Sequence, residues 1–298
     1  MRMLVTIAAV VASLTAAAPR AQAPASVDLA QLVMRASSWT ARFDQSLSGL
    51  LFRERYLQRA STSNVSAQVP LTMEASPTGS SRVVVPGREV VLEANVFLLR
   101  APSAREFVIY RDVYRVGSRN VTDHTARLQE LLTEGTASAI QQARALTDAS
   151  ARHNIGGISR NVNIPTMAFD YLTPAYVGGL RVRQAGADTI DGLPVLIVEF
   201  EEIARPTLVR GERDADVPAS GRYWIHPGSG AVPRAVAEFT TGRTRGRMEV
   251  RLALHDLLKV WVPKEMTEVW SGPGRHVSGL AHYDQFTRLN VTTAEIIK

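Results

Sequence analysis

The sequence predicts an α+β protein: a curved antiparallel β-sheet wrapped on an N-terminal helix, with a helical insertion in mid-chain. Three observations lead there. One amphipathic helical stretch lies near the start, period-two patterns follow one another after residue 181, and a cap-and-stop rhythm of helices runs from about 122 to 173. Alternation of apolar and polar residues marks strands with one covered and one wet face, which antiparallel sheets tolerate.

The chain opens as an export signal. Arg2 supplies the positive start, Leu4–Ala18 the uncharged apolar run, and Ala23-Pro24-Ala25 the small residues of a cleavage site. Cleavage after Ala25 leaves 26–298 as one expected domain, periplasmic or secreted from a bacterium. The apolar run is shorter than the ~20 residues a spanning helix needs, and no later stretch is long enough, so no transmembrane segment is expected after cleavage.

Leu29, Leu32, Val33, Ala36, Trp39, Phe43 and Leu47 recur every three or four residues and predict a helix over 28–47, ended by Gly49. Leu50, Phe52 and Tyr56, opposed by Arg53 and Arg55, predict a strand. Residues 60–81, rich in Ser, Thr, Asn, Pro and Gly, read as a loop or loose hairpin. Strands follow at 82–85, 90–99 and 107–116, with a turn at Gly117-Ser118. Thr122 or Asp123 caps a helix running to about Glu134, and Thr136 a second that ends before Gly156. Pro165 suits the first turn of a short third helix ending before Pro174.

From Arg181 onward, Asp191-Gly192 and Pro227-Gly228-Ser229-Gly230 punctuate successive strands. The clearest alternation spans 245–255. Gly246, Met248, Val250, Leu252 and Leu254 share one face, and Arg245, Arg247, Glu249, Arg251 and His255 the other. Strands over 260–270 and 276–291 complete the sheet.

The chain has 298 residues, 45% of them hydrophobic, and no cysteine. It is long enough to bury a core without staples, and thiol nucleophiles, thiolate metal sites and disulfides are excluded. Arginine outnumbers lysine 31 to 3 and the formal charge is +6, falling to +4 without Arg2 and Arg20. The arginines are scattered from Arg35 to Arg288, and with an export signal nucleic acid is not an expected partner.

Signatures of common enzymes are missing: there is no H-E-x-x-H, G-x-S-x-G, S-x-x-K, P-loop or G-x-G-x-x-G. His282 and Asp284 share a strand face but have no evident third ligand. Glu199, Glu201 and Glu202 read as a solvated strand end facing Arg205 and Arg210. The arginines at 243, 245, 247 and 251 read as charge on a wet face that discourages edge pairing, in preference to an anion-binding strip. No catalytic residue, metal or cofactor is therefore expected, and the protein reads as non-enzymatic.

The apolar face must be covered by helix 28–47 and the central helices. Where coverage is incomplete, the gap would suit an acyl chain or an extended hydrophobic segment. Met248, Val250, Leu252, Trp261, Met266 and Phe286 are the expected lining; their alternative role is plain core. An open hollow points to a protein that carries or senses a hydrophobic ligand. A filled one points to an envelope structural or interaction module, with an enzyme of unfamiliar site as a third reading.

Gly221-Arg222-Tyr223-Trp224-Ile225-His226-Pro227, continued by Gly230-Ala231-Val232-Pro233-Arg234, resembles the G-x-x-W-I-D-P-x-T-G-x-V-x-R hairpin of bacterial exported proteins. Together with Asn163-Ile164-Pro165-Thr166, Trp261-Val262-Pro263-Lys264-Glu265-Met266 and Gly279-Leu280-Ala281-His282-Tyr283-Asp284-Gln285-Phe286, it resembles a family of uncharacterised secreted bacterial proteins across most of the mature chain. The order of elements is similar to the lipoprotein-carrier (LolA-like) class. That resemblance implies a half-barrel closed on a helix, with a lipid, a lipidated protein or another envelope protein as partner. This chain is longer, has the insertion near 122–173, and carries His226 where the hairpin usually has Asp.

Overall fold

The computed structural model describes residues 28–61, 87–100, 107–121, 149–157 and 163–288, together with Gln141 and Ala145. The export signal, the loop beyond Ser61, the strand at 82–85, the helix at 122–134, most of the second helix and the chain beyond Arg288 lie outside the described residues.

Helix α1 is Leu29–Leu47. Asp28 caps it, its carboxylate accepting from the Ala30 amide at 2.9 Å. Eleven strands follow: β1 Leu50–Ser61, β2 Arg88–Arg100, β3 Phe107–Val116, β4 Arg119–Asn120, β5 Leu180–Ile190, β6 Leu193–Glu202, β7 Ala219–Ile225, β8 Arg234–Thr241, β9 Thr244–Leu254, β10 Trp261–Gly272 and β11 Arg275–Arg288. Of the expected central helices, the third is present as the one-turn α2, Met167–Asp170, behind Pro165.

All strands form one open antiparallel sheet ordered β4-β3-β2-β1-β11-β10-β9-β8-β7-β6-β5. Two meanders are joined where the last strand lies beside the first, Tyr56 opposite Ala281. The expected fold class is what the structure shows: a sheet carrying an N-terminal helix. β9 keeps its alternation, with Gly246, Met248, Val250 and Leu252 buried and the residues between them turned outward. Gly246 has a specific task. Phe239 and Trp270 are its neighbours on the two flanking strands, and their rings stack at 5.9 Å. A Cβ at Gly246 would lie 2.2 Å from the indole.

The inner face is covered by α1 and by the described chain at 149–157 and 163–172. On α1, Leu32, Ala36, Trp39, Phe43 and Leu47 are buried. Phe43 meets Phe169 at 5.4 Å, and Tyr171 meets Phe200 at 5.5 Å. The Tyr223 hydroxyl donates to the Ala168 carbonyl at 2.9 Å, and the Ile155 amide donates to the Gln58 side chain at 3.1 Å. The β7–β8 hairpin presses on the helix from the side. Gly230 has φ 73°, and a Cβ there would lie 2.5 Å from the Arg35 carbonyl oxygen.

The outer face is wet and laced by cross-strand ion pairs: Arg181–Glu201 at 2.8 Å, Arg222–Glu199 at 2.9 Å, Arg247–Glu238 at 2.8 Å and Arg234–Glu249 at 2.9 Å. Trp224 of the hairpin motif belongs to this face. It packs with Val195 and Val236 beneath the Arg234 guanidinium, 4.1 Å from its ring, and donates to Asp188 at 3.1 Å.

Candidate functional site

The six expected lining residues belong to one apolar region on the inner face, graded in depth. Met248, Val250, Leu252 and Met266 are buried, and Trp261 and Phe286 are partly buried against them. Met266 lies opposite Val250, and Trp261 opposite Leu254. Leu254 is the next inward position after Leu252, yet it is 52% exposed. An apolar path therefore runs from solvent at Leu254, past Trp261 and Phe286, to Leu252, Val250, Met266 and Met248.

Aromatic rings line its outer part. Trp39 meets Trp261 edge-on at 6.2 Å and stacks on Phe43 at 5.2 Å. Phe286 lies 5.1 Å from Phe52 and 5.7 Å from the His255 ring. Among the described residues, side chains of α1 and the sheet occupy this path, and no open hollow separates them. Among the described residues, a shallow surface hollow of about 490 Å³ lies over Gln31, Met34, Arg35 and Ser229 on the solvent side of α1, away from the path.

The cover is not fully matched to what it covers. The Ser37 and Thr40 hydroxyls on the buried side of α1, and the Tyr171 hydroxyl, have no hydrogen-bond partner among the described residues. Each buried, unpaired hydroxyl costs about 1–3 kcal/mol.

At its deep end the path meets a buried polar network that sequence reasoning missed. Glu54 and Arg111, 1% and 3% exposed, form an ion pair with Arg111 Nε donating to Glu54 at 2.6 Å. The Tyr283 hydroxyl lies 3.2 Å from Glu54 and 3.7 Å from Met266 Sδ. The Tyr56 hydroxyl donates to Glu268, which also accepts from Trp270 Nε1 at 3.0 Å. Burial pulls the Arg111 pKa down, but the Glu54 carboxylate beside it outweighs burial, so the guanidinium stays charged. Burial, with Glu54 next to it, pushes the Tyr283 hydroxyl well above the ordinary phenol value. The signal was in the register: Glu54 occupies the inward position between Phe52 and Tyr56, and Glu268 the one between Met266 and Trp270.

Glu201 lies exposed and Glu199 half-buried on the outer face, but they pair with Arg181 and with Arg183 and Arg222 respectively. Arg205 and Arg210 face Asp216 and Asp214 instead. Glu202 departs from its neighbours because alternation turns it inward, where it accepts from the Leu208 and Ala219 amides at 2.6 and 3.0 Å. Of the arginine strip, Arg247 and Arg251 are committed to Glu238 and Glu249. His282 sits 3.7 Å from Glu265, and among the described residues no cluster of three His, Asp or Glu could hold a metal.

No protein-family model matches the sequence, and no curated protein matches it. Solved structures give distant likenesses of fold. A DUF1329 family protein from Desulfovibrio piger aligns at a TM-score of 0.34 and 9% identity, over 87% of this chain and 94% of that one. A candidate outer membrane lipoprotein-sorting protein domain from Vibrio parahaemolyticus aligns at 0.34 and 8%, over 86% and 94%. A chain of the Pseudomonas aeruginosa MucA/MucB complex aligns at 0.19 and 9%, over 84% and 94%. The lipoprotein-sorting domain is, by its description, of the class that the order of elements resembles.

Proposed function

We propose that this is an exported, non-enzymatic protein that binds or carries a hydrophobic ligand on the inner face of its sheet. The ligand class is an acyl chain, a lipid or a lipidated partner. Residues 1–25 act as the export signal and 26–298 as one folded unit. The observation that carries the reading is the continuous apolar path from Leu254 at the rim to Met248 in the core. The path is filled by side chains, the arrangement expected of an envelope structural or interaction module rather than an open carrier, so the ligand reading requires α1 to part from the sheet and exchange its contacts for ligand. The unpaired Ser37 and Thr40 hydroxyls reduce the cost of that parting. Two methionines at the deep end adapt readily to a guest.

The test is native mass spectrometry of the purified chain, followed by titration in solution with a fluorescent fatty acid below its micelle concentration. Expected are co-purified lipid or saturable binding, and an affinity about tenfold weaker in Trp261→Ala, which removes an aromatic wall of the path. A clean mass with no saturable response overturns the reading.

A further inference from the structure

Beyond the rim of the path, the turn between β9 and β10 holds Leu257 88% exposed. This turn is ordered by its own bonds. The His255 amide donates to the Val260 carbonyl and the Lys259 amide to the His255 carbonyl, both at 2.8 Å. The Leu258 amide donates to His255 Nδ1 at 3.2 Å. With Leu254 also exposed at its base, a leucine held in water on a turn ordered by its own bonds is pre-organised to enter an apolar medium.

Its surroundings say which medium. Leu254, half exposed, and the Trp261 indole stand at the base of the turn. Lys259 and Lys264 are the two lysines among the described residues; both are exposed and neither forms an ion pair with another described residue, while Arg251, opposite Glu265 on the neighbouring strand, is committed to Glu249. Asp256, also exposed, offsets one of the two ammonium charges, and Glu265 beside Lys264 lies toward His282 at 3.7 Å. Projecting leucine, indole at the base and uncommitted ammonium groups match the layers of an anionic bilayer: acyl region, interface and phosphate plane.

We propose that the β9–β10 turn docks the protein on an anionic lipid bilayer, with Leu257 inserted and Lys259 and Lys264 on headgroup phosphates. This rests on the ligand reading above, and makes the membrane the source or destination of the acyl chain, since the rim of the path opens beside the turn.

The test is cosedimentation of the purified, ligand-free chain with vesicles of phosphatidylcholine alone and of phosphatidylcholine with phosphatidylglycerol. Binding is expected to be several-fold tighter to the anionic vesicles, lowered about tenfold by Leu257→Asp, weakened by Lys259→Glu and strengthened by Asp256→Asn. Leu257→Asp should leave the unfolding midpoint and the solution affinity for fatty acid unchanged. No vesicle binding, or binding indifferent to Leu257→Asp, overturns the docking surface. If fatty acid still binds in solution, the ligand reading stands and the turn belongs to a protein partner. Vesicle binding without any fatty-acid binding sinks the ligand reading and the membrane-source claim, and keeps the docking contact alone.

Discussion

Gly230 is a residue whose type is imposed from across the molecule. Its φ of 73° suits glycine, and its missing Cβ is what lets the hairpin touch the α1 backbone at Arg35. Gly230→Ala should lower stability by about 1–3 kcal/mol in urea unfolding. Gly228→Ala should cost less, because the nearest atoms to a Cβ there belong to the movable His226 ring. Equal losses would mean that helix contact plays no part.

Charge at single residues gives a pH prediction. Partial burial pushes the Glu249 carboxyl up, but Arg234 and Arg251 outweigh it and hold it below its ordinary 4.5. A depressed folded value contributes stability that is fully present above the unfolded value and is lost as pH falls through the folded one. Acid unfolding of Glu249→Gln should therefore show a shallower fall in stability below about pH 4.5; an unchanged slope would assign the acid sensitivity to other carboxylates.

Among the elements, β1, β3, β10 and β11 are tied by the Glu54–Arg111 pair and its tyrosines. Removing one partner strands the other in the core, so Arg111→Met should cost about 3–5 kcal/mol, while Arg111→Met with Glu54→Leu should recover most of it. A double variant as unstable as the single would show that packing of the guanidinium over Tyr56, 5.2 Å away, matters more than its charge. This is also the scale at which sequence is most and least informative. Period-two spacing made β9 legible to within a residue, since the alternation reports which face is covered. It does not report neighbours. The β1–β11 pairing joins segments more than two hundred positions apart, and the partners of Glu199 and Glu201 follow from cross-strand register, which no local pattern carries. Glu54 could have been found as a carboxylate in an apolar register; Arg111 as its partner could not.

For the whole molecule, the question is whether the inner face opens. The α+β class and the covering helix were legible because amphipathic periods are local. That the path is occupied was not, because occupancy depends on how residues 163–172 and α1 meet the sheet, as in the Phe43–Phe169 contact. If a ligand takes the path, it must lie between α1 and β9–β10, and α1 has to give way. A ligand that binds only the folded chain raises its stability, by about 2.7 kcal/mol at a hundredfold excess over Kd. Global stability and local protection should then move in opposite directions. With saturating fatty acid, the unfolding temperature should rise and amides of β9 and β10 should exchange more slowly. Amides of α1 from Leu32 to Leu47 should exchange faster, since local opening is drawn from the elements with least to lose. Slower exchange in α1 together with the sheet would place the ligand on the surface of the closed molecule, and the path would then be core alone.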